Sequence, residues 1–383
     1  MLVLIRITAA LGLTALCLGS APGAAQELVV AQVASFTSAT KSSNPRDLNT
    51  GLKVYFDYIN SQGGVNGRSI KLITRDDEQK GPKMVAATQE LIADKEVLAL
   101  VGYLNTAGLT EVAKQDLPGQ GGIAMIAPFQ GNQNIVGARN FFPFRSGYTE
   151  EIAALVTEAK GTQKKRLAIY YQGAAFGPSA NQFAQAEVKR QGYDLVATVG
   201  ADVAPEKFDA DMKAAIATMV KAQPDAVLLL AAGRFATEFV RQIKDSPAAS
   251  AQIYAMSVVL AEELINGGPG LKKARGVIIA QAVPFPFSPT LPIVSEYQRL
   301  MKKFAPNEAL SFSSLEGFAG AKITVEALKR AGPNPTRAKI LDALNSLGEL
   351  NLGGVYVHYS AKARKGWGGV DLTIVSADGR LLR

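Results

Sequence analysis

This chain of 383 residues has one cysteine and one histidine. Cys17 falls in the N-terminal apolar stretch, so the rest of the chain can form no disulfide, thiol nucleophile or iron–sulfur cluster. His358 stands alone in a strand-like run near the C-terminus and reads as an ordinary strand histidine. A catalytic triad or a histidine–metal site has no basis here. The phosphate-binding pattern Gly-x-x-x-x-Gly-Lys-Ser/Thr does not occur. The run "GQGGIAM" (119–125) precedes a strand instead of opening a helix, which is the wrong context for a dinucleotide loop. Asp76-Asp77-Glu78 reads as a solvated turn at a strand end. Neither a metal nor a cofactor is expected, and enzymatic chemistry is unsupported.

Concentrated charge is also missing. The net charge of +8 comes from 41 basic and 33 acidic residues that are scattered along the chain. The densest basic run, Lys164-Lys165-Arg166, reads as a turn. Without a basic helix carrying interleaved aromatics, no nucleic-acid partner is expected.

Long apolar runs are limited to the N-terminus. "MLVLIRITAALGLTALCLGSAPGAAQE" carries Arg6, an apolar run and small residues ending at Ala25. This reads as a secretory signal peptide over 1–25, and the apolar run is too short to span a bilayer. Cys17 follows a bulky leucine, so lipidation is not expected. The mature protein is expected to be exported.

The rest of the sequence shows alternating strands and helices. "LVVAQVASF" (28–36), "RSIKLITRDD", "VLALV" and "IAMIAP" are strands. Leu48, Leu52, Tyr55 and Ile59 share one helical face. The pattern resumes after Phe144 with "RLAIYYQ", "YDLVATV", "DAVLLLAA", "QIYAM" and "GVIIAQ". Continuous apolar strands between helices imply parallel sheets covered on both faces. Two such runs predict an α/β protein with two doubly wound lobes. "AVPFPFSPTLP" (282–292) has four prolines in eleven residues and reads as a connector. The three helices after it are placed back on the first lobe, and two late strands close the chain.

In open parallel sheets, ligands bind beyond the carboxyl ends of strands. The candidate loops are Ser35–Ser43, Leu104–Gly108, Phe129–Asn132, Gln172–Phe176, Gly233–Phe235 and Ser257–Val259. The Asn105-Thr106 step offers a hydroxyl and free amides at a helix N-terminus, which suits an anion such as a carboxylate. Thr106 as a plain N-cap is the competing reading.

The signal peptide, "GLKVYFDYINSQGGVNGRSIKLITRDDE", "VLALVGYLNTAG", "GIAMIAPF", "FFPFRSGYTEE", "RLAIYYQGAAFGPS" and "VSADGR" together resemble the type I periplasmic binding proteins of the branched-chain amino acid (Leu/Ile/Val) transport family. The resemblance implies two lobes joined by three crossovers, near Pro143–Gly147, Ala282–Pro286 and His358. Lobe 1 would comprise 26–145 and 283–357, and lobe 2 146–282 and 358–383. It further implies a monomer that traps a small-molecule solute and delivers it to a membrane permease with ATPase subunits in an ABC importer. The alternative is a ligand-sensing protein serving a signalling receptor.

Carried over position by position, the resemblance places Thr106 at the ligand carboxylate beside Asn105. It places Asn44, with Ser43, after the first strand, and Phe129 and Gln130 after the fourth. Phe176 takes the aromatic position of the second lobe, with Arg234 and Phe235 in the next loop. The acid that pairs with a ligand ammonium is expected near Ser257 or Val258, where no acid stands in sequence. A small organic acid is therefore expected over a free amino acid, because a buried ammonium without a carboxylate is costly.

Overall fold

The structure, a computed structural model, describes residues 26–37, 42–173, 176–202, 204 and 206–383. The leader and Cys17 lie outside them. Among the described residues, no helix is long and apolar enough to cross a membrane.

The first sheet holds β1 (Leu28–Ala34), β2 (Ile70–Asp76), β3 (Val97–Val101), β4 (Ala124–Ile126) and β5 (Phe141–Phe142), in the order β2-β1-β3-β4-β5. Every pair in it is parallel. Its connecting helices are α1 (Asn44–Ser61), α2 (Gly81–Ala93), α3 (Thr106–Lys114), α4 (Leu117–Gln120) and α5 (Gln133–Val136). Pro45 and Pro82 sit in the first turns of α1 and α2, where a missing N–H is harmless. Asn66 and Gly67 both take positive φ and close the turn between α1 and β2.

The chain then leaves through residues 143–147 into α6 (Tyr148–Gly161), and the second sheet follows. It holds β6 (Arg166–Gln172), β7 (Asp194–Ala201), β8 (Ala226–Leu230), β9 (Gln252–Ala255) and β10 (Ile278–Gln281). These five repeat the strand order of the first sheet, β7-β6-β8-β9-β10. Between them run α7 (Gly177–Arg190), α8 (Phe208–Ala222), α9 (Gly233–Lys244), α10 (Ala261–Asn266) and α11 (Leu271–Ala274). All five residues of β8 are buried, as a central strand covered on both faces requires.

After the proline-rich connector come α12 (Pro292–Phe304), α13 (Phe312–Arg330) and α14 (Arg337–Asn345). They pack on the first sheet and α1. α13 opens with a capping box in which Ser311 accepts from the Ser314 amide. It crosses α1 closely. A Cβ built on Gly51 would lie 1.8 Å from the Ser314 carbonyl oxygen, and one on Gly317 2.0 Å from that of Leu48.

The C-terminal strands correct the expected third crossing. β11 (Gly348–Asn351), β12 (Tyr356–Tyr359) and β13 (Arg364–Lys365) form a separate antiparallel sheet. His358 lies in its middle strand, opposite Glu349 and Lys365. Tyr359 packs on Phe142 of the first lobe. The chain passes to the second sheet only between Lys365 and β14 (Asp371–Val375), which pairs antiparallel with β10 and then with β15 (Leu381–Leu382). A strand's apolar alternation does not reveal which sheet it joins, so the boundary moves from His358 to residues 366–370.

The three crossovers lie side by side. Ser146 N donates to the Ala282 carbonyl at 3.2 Å, and Trp367 N donates to the Phe144 carbonyl at 2.6 Å. The Tyr359 hydroxyl donates to the Pro143 carbonyl at 2.6 Å.

Candidate functional site

The strand ends of the first lobe are tied together by Asp77, which is fully buried. Its carboxylate accepts from Ser35 Oγ at 2.7 Å, Asn105 Nδ2 at 2.9 Å and the Gln79 amide at 2.8 Å. The expected solvated turn holds for Asp76 and Glu78, which are exposed, but not for Asp77. Burial pushes the Asp77 carboxyl up, while the Ser35 and Asn105 hydrogen bonds pull it down.

Asn105, not Thr106, is the N-cap of α3. Its side chain accepts from the Gly108 amide at 3.3 Å. Thr106 is the first helical residue, and its hydroxyl accepts from Gln130 Nε2 at 3.1 Å. Gln130 Oε1 in turn accepts from the Asn132 amide at 2.9 Å. Asn44 opens α1, and its side-chain oxygen accepts from the Ser313 hydroxyl.

Phe129 and Phe176 share one buried apolar cluster with Leu48, Tyr148 and Val258. The rings of Tyr148 and Phe176 lie 5.6 Å apart. Asn132 Nδ2 donates to Ser179 Oγ across the lobes at 3.2 Å. Arg234 and Phe235 lie elsewhere. The Arg234 guanidinium sits 3.6 Å from the Phe208 ring centroid, and Phe208 packs edge-on against Phe235. Phe208 and Phe235 belong to the cluster under α8 and α9.

The sequence reading missed three charged residues: Arg145, Glu151 and Glu316. Arg145 stands in the first crossover, 4% exposed, with its guanidinium 4.1 Å from the Phe129 ring centroid. Its Nη2 donates to Ser257 Oγ. Glu151, on α6, accepts from the Ser257 amide at 2.8 Å and from Ser257 Oγ at 3.0 Å. Glu316, on α13, approaches Arg145 Nη1 at 3.7 Å, and Glu151 approaches Nη2 at 3.8 Å. A buried carboxylate thus sits against Ser257, contributed by α6 and not by the loop itself. Burial pushes the Glu316 carboxyl up to about 7, against the pull of Arg145 and with a further push from Glu151. Arg145 stands out in "FFPFRSGYTEE" as a lone cation in an aromatic run. Glu316 is a lone acid in a helix that is otherwise apolar and small on this stretch. Those were the available signals.

Two parallel-sheet lobes of matching strand order, with buried polar groups from both meeting at their crossovers, define the type I periplasmic binding protein architecture. The chain belongs to the periplasmic binding protein family, whose profile matches residues 27–380. Solved structures agree. An extracellular ligand-binding receptor from Verminephrobacter eiseniae ef01-2 superposes with a TM-score of 0.86 at 24% identity, over 94% of this chain and 100% of that one. A substrate-binding periplasmic protein from Ralstonia solanacearum gives 0.85 at 27% identity, over 93% and 99%. A possible leucine/isoleucine/valine-binding protein from Rhodopirellula baltica SH 1 gives 0.84 at 22%, over 95% and 98%. No curated protein matches the chain.

Proposed function

We propose that this protein is the solute-binding component of an ABC importer and captures a small carboxylate-bearing solute between its lobes. The observation that carries the reading is the convergence of Arg145, Ser257 and Glu151 with Phe129 and Phe176 where the two lobes meet. A guanidinium and the α3 N-terminus suit a carboxylate. The aromatic pair suits an apolar body, either branched or aromatic. Thr106, Gln130 and Asn44 complete the wall on the first lobe. This arrangement serves binding; it offers no paired nucleophile and base.

In this reading the three crossovers form the hinge, with lobe 1 passing to lobe 2 at residues 143–147, 282–291 and 366–370. Residues 1–25 direct export and are removed near Ala25. The mature protein works as a monomer and delivers its solute to a membrane permease with ATPase subunits. The deciding experiment is mass spectrometry of small molecules released by denaturing the purified protein. Scattering is then measured with and without the recovered compound. A carboxylate that shrinks the radius of gyration at saturation supports capture by closure. Recovery of a solute with no acidic group, or unchanged scattering at saturation, overturns it.

A further inference from the structure

The charged groups on the crossover wall do not close their hydrogen bonds among themselves. Glu151 is engaged by both the amide and the hydroxyl of Ser257, and Arg145 Nη2 faces that same pair. Arg145 Nε and Nη1 are buried without a hydrogen-bond partner, and so is Glu316 Oε1. The 3.7 Å between Nη1 and Glu316 is ion-pair contact, beyond hydrogen-bond length. Two carboxylates therefore share one guanidinium that still has unused donors.

We propose that Arg145 and Glu316 form a recognition pair for the solute, in which Arg145 Nε and Nη1 donate to its carboxylate and a protonated Glu316 donates to that carboxylate as well. This rests on the reading of the chain as a carboxylate-binding protein. Capturing the anion then takes up one proton from solvent, held on a Glu316 oxygen and shared with the bound carboxylate.

Charge counting gives the reason. Arg145 is already matched by Glu151, so a second anion beside an ionised Glu316 is repelled. With a proton, Glu316 changes from a repelling acceptor to a donor. The groups that act on Glu316 are known: Arg145 from the first crossover and Glu151 from α6, with Tyr148 of α6 facing it. Among the described residues, α1, packed along α13, places no charge on it. A carboxyl that titrates near neutrality can take this proton over the ordinary pH range.

The test is calorimetric titration of the mature protein with benzoate, phenylacetate and 4-methylpentanoate, and with isopentylamine as the cationic probe. Each is run at about pH 8 in phosphate and in Tris, and at about pH 5.5 in MES and in histidine, pairs that buffer at those pH values and differ in ionisation enthalpy. The expected result is carboxylate binding whose heat at the higher pH varies with the buffer, corresponding to uptake of close to one proton. At the lower pH, where Glu316 already holds its proton, the dependence disappears. Glu316→Gln binds with no proton uptake at either pH. Arg145→Lys keeps the charge but loses the fork, and it weakens carboxylate binding about tenfold or more. Should Arg145→Lys fail to fold, the proton count of the isosteric Glu316→Gln decides.

Carboxylate binding without buffer dependence, or the same proton uptake in Glu316→Gln, overturns the pair while leaving the carboxylate reading intact. Binding of isopentylamine with proton release means that Glu316 meets a cation, and it overturns the pair as well. Failure of all three carboxylates to bind counts against the proposed function itself, and this pair falls with it.

Discussion

Asn105 donates from Nδ2 to the buried carboxylate of Asp77 at 2.9 Å while its Oδ1 accepts from the Gly108 amide at 3.3 Å. One side chain thus caps α3 and ties the carboxyl ends of β2 and β3, which flank β1. It also relieves Thr106 of cap duty. Under the proposed function, stability and recognition at this corner rest on adjacent residues.

The two roles separate by mutation. Asn105→Ala removes a cap and a hydrogen bond to a buried carboxylate, and it is expected to cost about 2–3 kcal/mol of stability. Thr106→Val keeps the cap but takes the acceptor from Gln130 Nε2, and it is expected to cost about 1 kcal/mol of stability, less than Asn105→Ala. It should weaken binding of the solute recovered from the protein by about 1–3 kcal/mol. Urea melts and calorimetry measure the two effects. A Thr106→Val protein as unstable as Asn105→Ala would refute the division.

The contact between α1 and α13 decides the sign of a substitution that helix propensity alone would favour. Alanine exceeds glycine by about 1 kcal/mol in a helix interior. At Gly51, however, the new Cβ would lie 1.8 Å from the Ser314 carbonyl oxygen, backbone that cannot yield by rotating a side chain. The helices must separate, and the cluster holding Leu52, Tyr55, Leu315 and Phe318 opens with them. Gly51→Ala is expected to lose about 3 kcal/mol or more, read as a fall in melting temperature. Gly317→Ala, against the Leu48 carbonyl, is expected to behave alike. A rise in melting temperature for either variant would contradict the close crossing.

Glu316 gives stability a pH dependence of definite sign. Its carboxyl titrates near 4.5 when unperturbed and near 7 in the folded chain. Below the lower value both states hold the proton, and folding carries no penalty from it. Between the two values the unfolded chain releases the proton first, so stability falls as pH rises. Above about 7 the penalty is complete, at roughly 3 kcal/mol. Glu316→Gln lacks this titration. Compared with the wild type, the variant should gain stability between about pH 5 and pH 8 in denaturant melts. Parallel pH profiles for the two proteins would show that Glu316 is ionised throughout.

The fold was largely legible in the sequence because strand and helix periods are local signals. The apolar run of Val97–Val101, the Pro82 helix start and the proline-rich connector each act within a few residues. The third crossover was not legible. Tyr356–Tyr359 and Asp371–Val375 both read as strands, and only their pairing partners show that the first stays with β11 while the second joins β10. The strand-end placement of Asn105 and Thr106 was legible, because both follow directly from β3. It was not legible where it depends on distant parts of the chain. Glu151 meets Ser257 across 106 positions. A search confined to the Ser257 loop therefore found no acid, although a carboxylate sits on that very residue. The placement of the Arg234 guanidinium was not legible either: its loop lies at a strand end, but the group stacks on the face of Phe208.

Arg337 shows how one late residue can hold early elements in place. It stands at the start of α14, yet its Nε donates to the Val97 carbonyl at 2.7 Å and its Nη1 to the Ile92 carbonyl at 2.9 Å. Its Nη2 reaches the carbonyls of Leu91 and Asp94. The last carbonyls of α2 have no partner within their own helix, so this guanidinium caps them from 245 residues away. It also binds β3 at its first residue. A fork of five N–H groups suits several carbonyls at once, whereas an ammonium on a flexible stem does not. Arg337→Met is therefore expected to cost about 2–4 kcal/mol, and Arg337→Lys to recover less than half of that. Hydrogen exchange supplies the local readout: the amides of the last turn of α2 and the start of β3 should exchange faster in both variants, with the second lobe unchanged. If Arg337→Met were as stable as the parent and exchange around Ile92 were unaltered, the cap would contribute nothing, and α14 would be held by Ile340 and Leu344 in the apolar cluster alone.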